Sequence, residues 1–172
     1  MVKVRVNVYD LSHVNRVFRF SKLGVYHTSV VIGEEFEIYY GYLSYSICGI
    51  DYAEEIDKLP SSMSGNLYST YNMGNSELSL DEIRKKCKQF SKRAEWLSNR
   101  YNVLCHNCNT FSYSLCSEIL IKRNMEHFPE FVFRSQRVIK PVFEILSPII
   151  DENKTPFYLN KHYAKDEILE KE

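Results

Sequence analysis

The segment Tyr101-Asn-Val-Leu-Cys105-His106-Asn107-Cys108-Asn109-Thr110-Phe111-Ser112 gathers two thiols, an imidazole and three side-chain amides into twelve residues. From residue 108 the apolar positions Phe111, Leu115 and Ile119 recur at helical spacing, with Cys116 and Leu120 alongside. Cys108 is therefore expected in the first turn of a helix over 108–122. The unpaired N–H groups and the positive dipole end found there favour an anion. A thiolate gains directly, because such placement brings a cysteine pKa from about 8.5 toward neutrality or below. The same N–H groups can stabilise the oxyanion of an attacked carbonyl. Nucleophilic attack by a thiol is the chemistry this position suits.

A thiol nucleophile needs a base within hydrogen-bond reach, and histidine suits because it titrates near neutral pH. Five histidines compete. His106, two residues before a cysteine that starts a helix, is expected to point away from it. His13, His127 and His162 fall in segments read as loop, interhelical connection and tail. His27 begins the apolar, β-branched run Gly24-Val-Tyr-His27-Thr-Ser-Val-Val-Ile, and strand ends hold side chains rigidly. The bland alternatives stand beside this pairing. Cys48, Cys87 and Cys116 read as core thiols, and a single histidine in a strand is more often structural. Cys105-x-x-Cys108 has the spacing of redox dithiols and zinc sites. A structural zinc wants four ligands, and no second Cys-x-x-Cys is present.

The elements that would position such a pair follow from periodicity. Residues 3–9 alternate valine and tyrosine with polar side chains, as a half-buried strand does. A loop with scattered basic residues is expected over 11–22. Residues 24–32 and 36–40 read as strands joined by a turn at Gly33. A third β-like stretch spans 45–52, a polar loop runs through Pro60 and Gly65, and 67–73 reads as one more strand. Ser79 and Glu82 form a capping box, and Ile83, Cys87, Phe90, Ala94 and Leu97 extend a helix over 80–98. A further helix, interrupted near Pro141, is expected within 131–146. Strands followed by helices give an α+β class: a small antiparallel sheet or barrel packed against helices. The reading is one domain over 1–148 with a polar tail, 149–172, either a short helix or disordered.

With 172 residues, 44% of them hydrophobic, the chain can bury a core, which excludes wholesale disorder. Lys+Arg and Asp+Glu balance at 22 each, so the basic footprint of a nucleic-acid binder is missing. No run approaches the roughly 18 apolar residues of a membrane span. The N-terminus alternates rather than forming a signal peptide's apolar block. Five cysteines without a secretion signal point to reduced thiols in the cytoplasm or nucleus.

The blocks Gly24-Val-Tyr-His27-Thr-Ser-Val-Val-Ile, Glu35-Phe36, Tyr40-Gly41 and Tyr101 through Asn107-Cys108-Asn109-Thr-Phe-Ser resemble the PPPDE family. Its eukaryotic members include DeSI-type deSUMOylating isopeptidases. Val6-Asn7-Val8-Tyr9-Asp10 resembles the family's first strand, and the likeness covers about residues 5–145. It implies a papain-like thiol hydrolase in circularly permuted order with a Cys108/His27 dyad; no cofactor or metal is expected. It also implies cleavage after the C-terminal glycine of ubiquitin or a ubiquitin-like modifier such as SUMO. Other readings remain open: the same dyad acting on S-acylated proteins, or a weakly catalytic module that binds ubiquitin-like proteins. A homodimer that completes the substrate groove is a further possibility. Where relatives carry a glycine-rich stretch, this chain has Tyr39-Tyr40-Gly41-Tyr42-Leu43-Ser44-Tyr45, which implies a narrower, more aromatic groove. Glu35 is expected either to orient His27 or to be a surface charge. Asn107 and Asn109 are expected to cap the helix and shape its turn. Cys105, if it faces Cys108, offers a reversible disulfide.

Overall fold

Alternation along the N-terminal strand decides how the sheet faces. In β1 (Val2–Asp10) the side chains of Val4, Val6 and Val8 enter the core, and Asn7 and Tyr9 point to the other face. The computed structural model describes residues 1–11, 24–59, 65–134 and 136–138. Within them β2 (Tyr26–Ile32), β3 (Phe36–Tyr40), β4 (Ile50–Tyr52) and β5 (Asn66–Ser76) join β1 in one antiparallel sheet, ordered β4-β3-β2-β1-β5. Among the described residues it runs from the β4 edge to the β5 edge as an open sheet. The β2–β3 turn closes at Gly33, whose φ of +58° is the left-handed conformation that glycine adopts at little cost. All seven residues of β2 are buried, so this strand is enclosed on both faces.

Two helices cover the valine face. Helix α1 (Leu80–Phe90) starts with the expected capping box, Ser79 accepting from the Glu82 N–H while Glu82 reaches back to the Ser79 N–H. It buries Ile83, Cys87 and Phe90. Helix α2 (Cys108–Ile119) buries Phe111, Leu115, Cys116 and Ile119 against β2 and β3. Around Trp96 the rings of Tyr40, Phe90 and Phe111 sit 5.1, 6.1 and 5.2 Å away, centre to centre. This α+β arrangement is the expected class.

Several boundaries moved. The helix expected over 80–98 ends at Phe90, and two single 3₁₀ turns, Ala94–Trp96 and Ser98–Arg100, replace its second half. Arg93 is extended just before the first turn; its guanidinium lies 4.0 Å over the Phe90 ring and binds Glu118 at 2.7 Å. Tertiary contacts thus override propensity there. Helix α2 stops at Ile119 because Leu120 is extended. Within 45–52 only Ile50–Tyr52 forms a strand, with an isolated bridge from Cys48 to Leu97. Strand β5 is longer than 67–73 and carries two register shifts against β1. From the segment 131–146, a 3₁₀ turn at Glu130–Phe133 begins the described part. The loop beyond Leu11 with His13, residues 60–64, the Pro141 break, His162 and the tail lie outside the described residues.

Candidate active site

The Asn107-Cys108-Asn109-Thr110 sequence builds the site through its cap. Asn107 is the N-cap residue, its side-chain oxygen accepting from the N–H groups of Asn109 (3.0 Å) and Thr110 (3.3 Å). Thr110 returns the bond, its hydroxyl accepting from the Asn107 N–H at 2.9 Å. The cap engages the N–H groups on either side of Cys108, that of Asn109 also facing the sulfur, and leaves that of Cys108 to its own sulfur and the Tyr101 oxygen.

The sulfur meets strand β2. Pairing between β2 and β3 ends at Ser29–Tyr39, and beyond it the β2 peptide groups face the first turn of α2. The Cys108 Sγ lies 3.9 Å from the Tyr26 carbonyl oxygen, and the Thr28 N–H is also bonded to it. Those two peptide groups flank His27. The Tyr101 hydroxyl donates to the sulfur at 3.9 Å, and the sulfur donates to the Asn109 side-chain oxygen at 3.7 Å. Cys108 is 3% exposed. Burial is the largest influence on the thiol and pushes its pKa above the usual value. The N–H of Thr28, the Tyr101 hydroxyl and the N–H groups of Asn109 and Cys108 pull it back down without prevailing. Helix-start placement alone suggested a low pKa; desolvation outweighs it.

His27 is equally buried, at 2% exposure. It pairs across the sheet with Tyr9, the ring centres 6.2 Å apart, and Tyr39 stands edge-on at 5.6 Å. Its Nε2 is buried with no hydrogen-bond partner among the described residues. Burial without a counter-charge pushes the imidazole pKa from 6.5 down to about 4. At neutral pH the structure therefore holds a neutral thiol and a neutral imidazole.

Other expectations separate. Glu35 does not orient His27: it is about half exposed and pairs with Arg84 at 3.3 Å. Glu37, two residues on and 1% exposed, is the buried carboxylate that sequence reasoning missed. It accepts from the Tyr9 hydroxyl (2.7 Å), the Asn7 amide (3.2 Å), the Asp57 N–H (2.7 Å) and the Ser29 hydroxyl. The strand period was its signal: Glu37 and Tyr39 share the face opposite Ile38 and Tyr40. Asn109 is not a cap. Its side chain accepts from Thr28 at 3.0 Å and donates to the Val132 carbonyl at 3.3 Å, tying α2 to the sheet. His106 stacks on Trp96 at 4.5 Å, and its Nε2 lies 2.6 Å from the Glu95 carbonyl oxygen. His127 is exposed at the end of a 3₁₀ helix. Cys105 is exposed, whereas Cys87 and Cys116 are buried core thiols as expected. Among the described residues no cluster of metal-ligating side chains occurs, and no helix is long and apolar enough to cross a membrane.

The arrangement combines a thiol at a helix start, a neutral imidazole on the strand it touches, and a backbone N–H outside the cap beside it. These are the parts of an acyl-transfer site. A family model described as "PPPDE putative peptidase domain" matches residues 2–151. A desumoylating isopeptidase 1 homolog of Caenorhabditis elegans is 28% identical over 117 residues, covering 67% of this chain and 34% of the relative. A DeSI-like protein of Arabidopsis thaliana is 23% identical over 120 residues, covering 69% of this chain and 50% of the relative. The matched region thus spans a third to a half of those relatives' lengths. The match to the family model, over most of the sequence, places this chain in the PPPDE peptidase family.

Proposed function

We propose that this chain is a cysteine isopeptidase that hydrolyses the bond after the C-terminal glycine of ubiquitin or a ubiquitin-like modifier. Cys108 is its nucleophile and His27 its general base. The observation that carries the reading is the seat of the Cys108 sulfur on the two peptide groups flanking His27. The names of the relatives supply the substrate class. His27, neutral at rest, takes the thiol proton as sulfur attacks the glycine carbonyl, and the imidazolium then protonates the leaving lysine amine. Water attacks the thioester, returns its proton through His27, and releases the modifier and the free thiol. Reduced thiols imply a cytoplasmic or nuclear setting.

The test is turnover of ubiquitin and SUMO carrying a C-terminal aminocoumarin amide. Wild type releases coumarin from at least one, Cys108→Ala releases none, and His27→Ala is slowed at least about 100-fold. Coumarin release by Cys108→Ala at the wild-type rate would overturn the nucleophile. A second reading has its own observation. An open cavity of about 440 Å³ beside Leu104 and Cys105, upstream of α2, is walled by Leu104, Tyr113 and Phe133, which suit an acyl chain, together with the polar Glu130, Gln136 and Arg137. If the cavity serves an S-acylated protein, a fluorogenic thioester is hydrolysed and both modifier amides are left intact.

A further inference from the structure

We infer that Tyr101 is a catalytic residue: its hydroxyl is the side-chain donor of the oxyanion hole, acting with the Cys108 N–H. The inference rests on the proposed acyl-transfer role of Cys108. An oxyanion formed on a carbonyl carbon bonded to Sγ needs donors pointing into the space beside the sulfur. The cap supplies one, since Asn107 takes the N–H groups of Asn109 and Thr110 and leaves that of Cys108.

The second donor follows from orientation. Among the described residues two polar side chains are hydrogen-bonded to the sulfur, those of Asn109 and Tyr101. Asn109 turns its oxygen, an acceptor, toward the sulfur and directs its nitrogen to the Val132 carbonyl, so it presents no donor to an anion there. Tyr101 presents a hydroxyl. Burial foremost, and then the charge of a Cys108 thiolate, hold its pKa well above 10, so the proton stays on the phenol. Its ring is fixed 5.3 Å from Tyr40, whose own hydroxyl is held by the Leu97 carbonyl at 2.9 Å. At 3.9 Å the bond to sulfur is long, leaving room for an oxygen on the attacked carbon about 3 Å from the phenol. In the step, sulfur forms a bond to carbon and the carbonyl π pair moves onto oxygen. Tyr101 and the Cys108 N–H donate hydrogen bonds to that oxygen and transfer no proton. The pair returns as the C–N bond breaks, with the amine leaving on the proton held by His27.

The experiment compares two reactions of Cys108 in wild type, Tyr101→Phe and a 3-fluorotyrosine-101 chain. Coumarin release from the modifier amide develops an oxyanion; alkylation by iodoacetamide consumes the thiolate without one. Tyr101→Phe is expected to lower kcat about 100-fold with KM within about threefold. The rate of Cys108 alkylation between pH 7 and 10 changes far less, and 3-fluorotyrosine, which keeps the hydroxyl, restores turnover. Equal losses in both reactions would make Tyr101 a thiolate stabiliser only and overturn the inference. So would unchanged turnover, or a 3-fluorotyrosine chain as slow as Tyr101→Phe. If wild type turns over neither amide, the proposed function falls and this inference with it. Loss of turnover in Cys108→Ala with none in Tyr101→Phe removes this inference alone.

Discussion

The Cys108 sulfur lies 3.9 Å from the carbonyl oxygen of Tyr26, on the strand that carries His27 as its next residue. Both partners of the proposed dyad are nearly solvent-free, so their resting state is set by desolvation and not by an ion pair. The thiol is pushed up and the imidazole down to about 4. Alkylation of Cys108 by iodoacetamide, read by mass spectrometry, is therefore expected to accelerate about tenfold per pH unit from pH 7 to 9. A plateau beginning below pH 7 would mean that a thiolate–imidazolium pair exists before substrate arrives. Exposed Cys105 is expected to be alkylated ahead of buried Cys87 and Cys116.

The same imidazole makes stability depend on pH with a definite sign. Its folded pKa of about 4 lies below the unfolded 6.5, so between these values the unfolded chain binds the extra proton. Stability is fully present above pH 6.5 and lost as pH falls toward 4. The loss is about 3 kcal/mol over that window. His27→Leu, which cannot titrate, should flatten this stretch of the curve in urea unfolding between pH 7 and 4. A variant curve parallel to wild type would assign the acid loss to other groups.

Activity should share that limb. The base works only when neutral, and in the free enzyme it is neutral down to about pH 4. kcat/KM for modifier amides is expected to hold through pH 5.5 and fall with a midpoint near 4, wherever the protein stays folded. A midpoint near 6.5 would describe a solvated histidine and contradict the burial of His27.

How much was legible depended on whether a residue's role is local. The capping box of α1, the placement of Cys108 and the β2–β3 hairpin are written in spacing and turn chemistry. The break after Phe90 was not. Arg93 lies over Phe90 and binds Glu118, 25 residues away, contacts invisible to a periodic pattern. Glu35 is the expected partner of His27 from the neighbouring strand, but it falls in the turn before β3 and pairs with Arg84, while Glu37, two residues on, lies on the face that His27 occupies. The cap role of Asn107 was readable from its neighbours; the bond from Asn109 to Val132 is a tertiary fact.

Glu37 is expected to matter for folding far more than Glu35. Its carboxylate accepts four hydrogen bonds from buried groups on β1, β2 and the Asp57 turn. Glu37→Ala strands those donors and should destabilise the protein by about 3 kcal/mol. Glu35→Ala loses an exposed pair with Arg84 and should change stability by less than about 1 kcal/mol. Chemical denaturation of the two variants measures the contrast; equal effects would show the buried network to be loosely held.

The asparagines beside Cys108 should separate in kind. Asn107→Ala removes the acceptor for two first-turn N–H groups, a loss of about 1 kcal/mol. It also frees those N–H groups to compete for the substrate oxygen, so kcat falls through disturbed geometry in a chain that still folds. Asn109→Ala removes the tie between Thr28 and Val132 and leaves the Val132 carbonyl without this donor, while Thr28 keeps Ser112, for about 2 kcal/mol. Its larger signature is expected in the anchoring of the turn at 130–133, read as faster amide hydrogen exchange there. Asn107→Ala leaves that exchange unchanged. If the two variants show the same exchange pattern, Asn109 is a second cap residue after all.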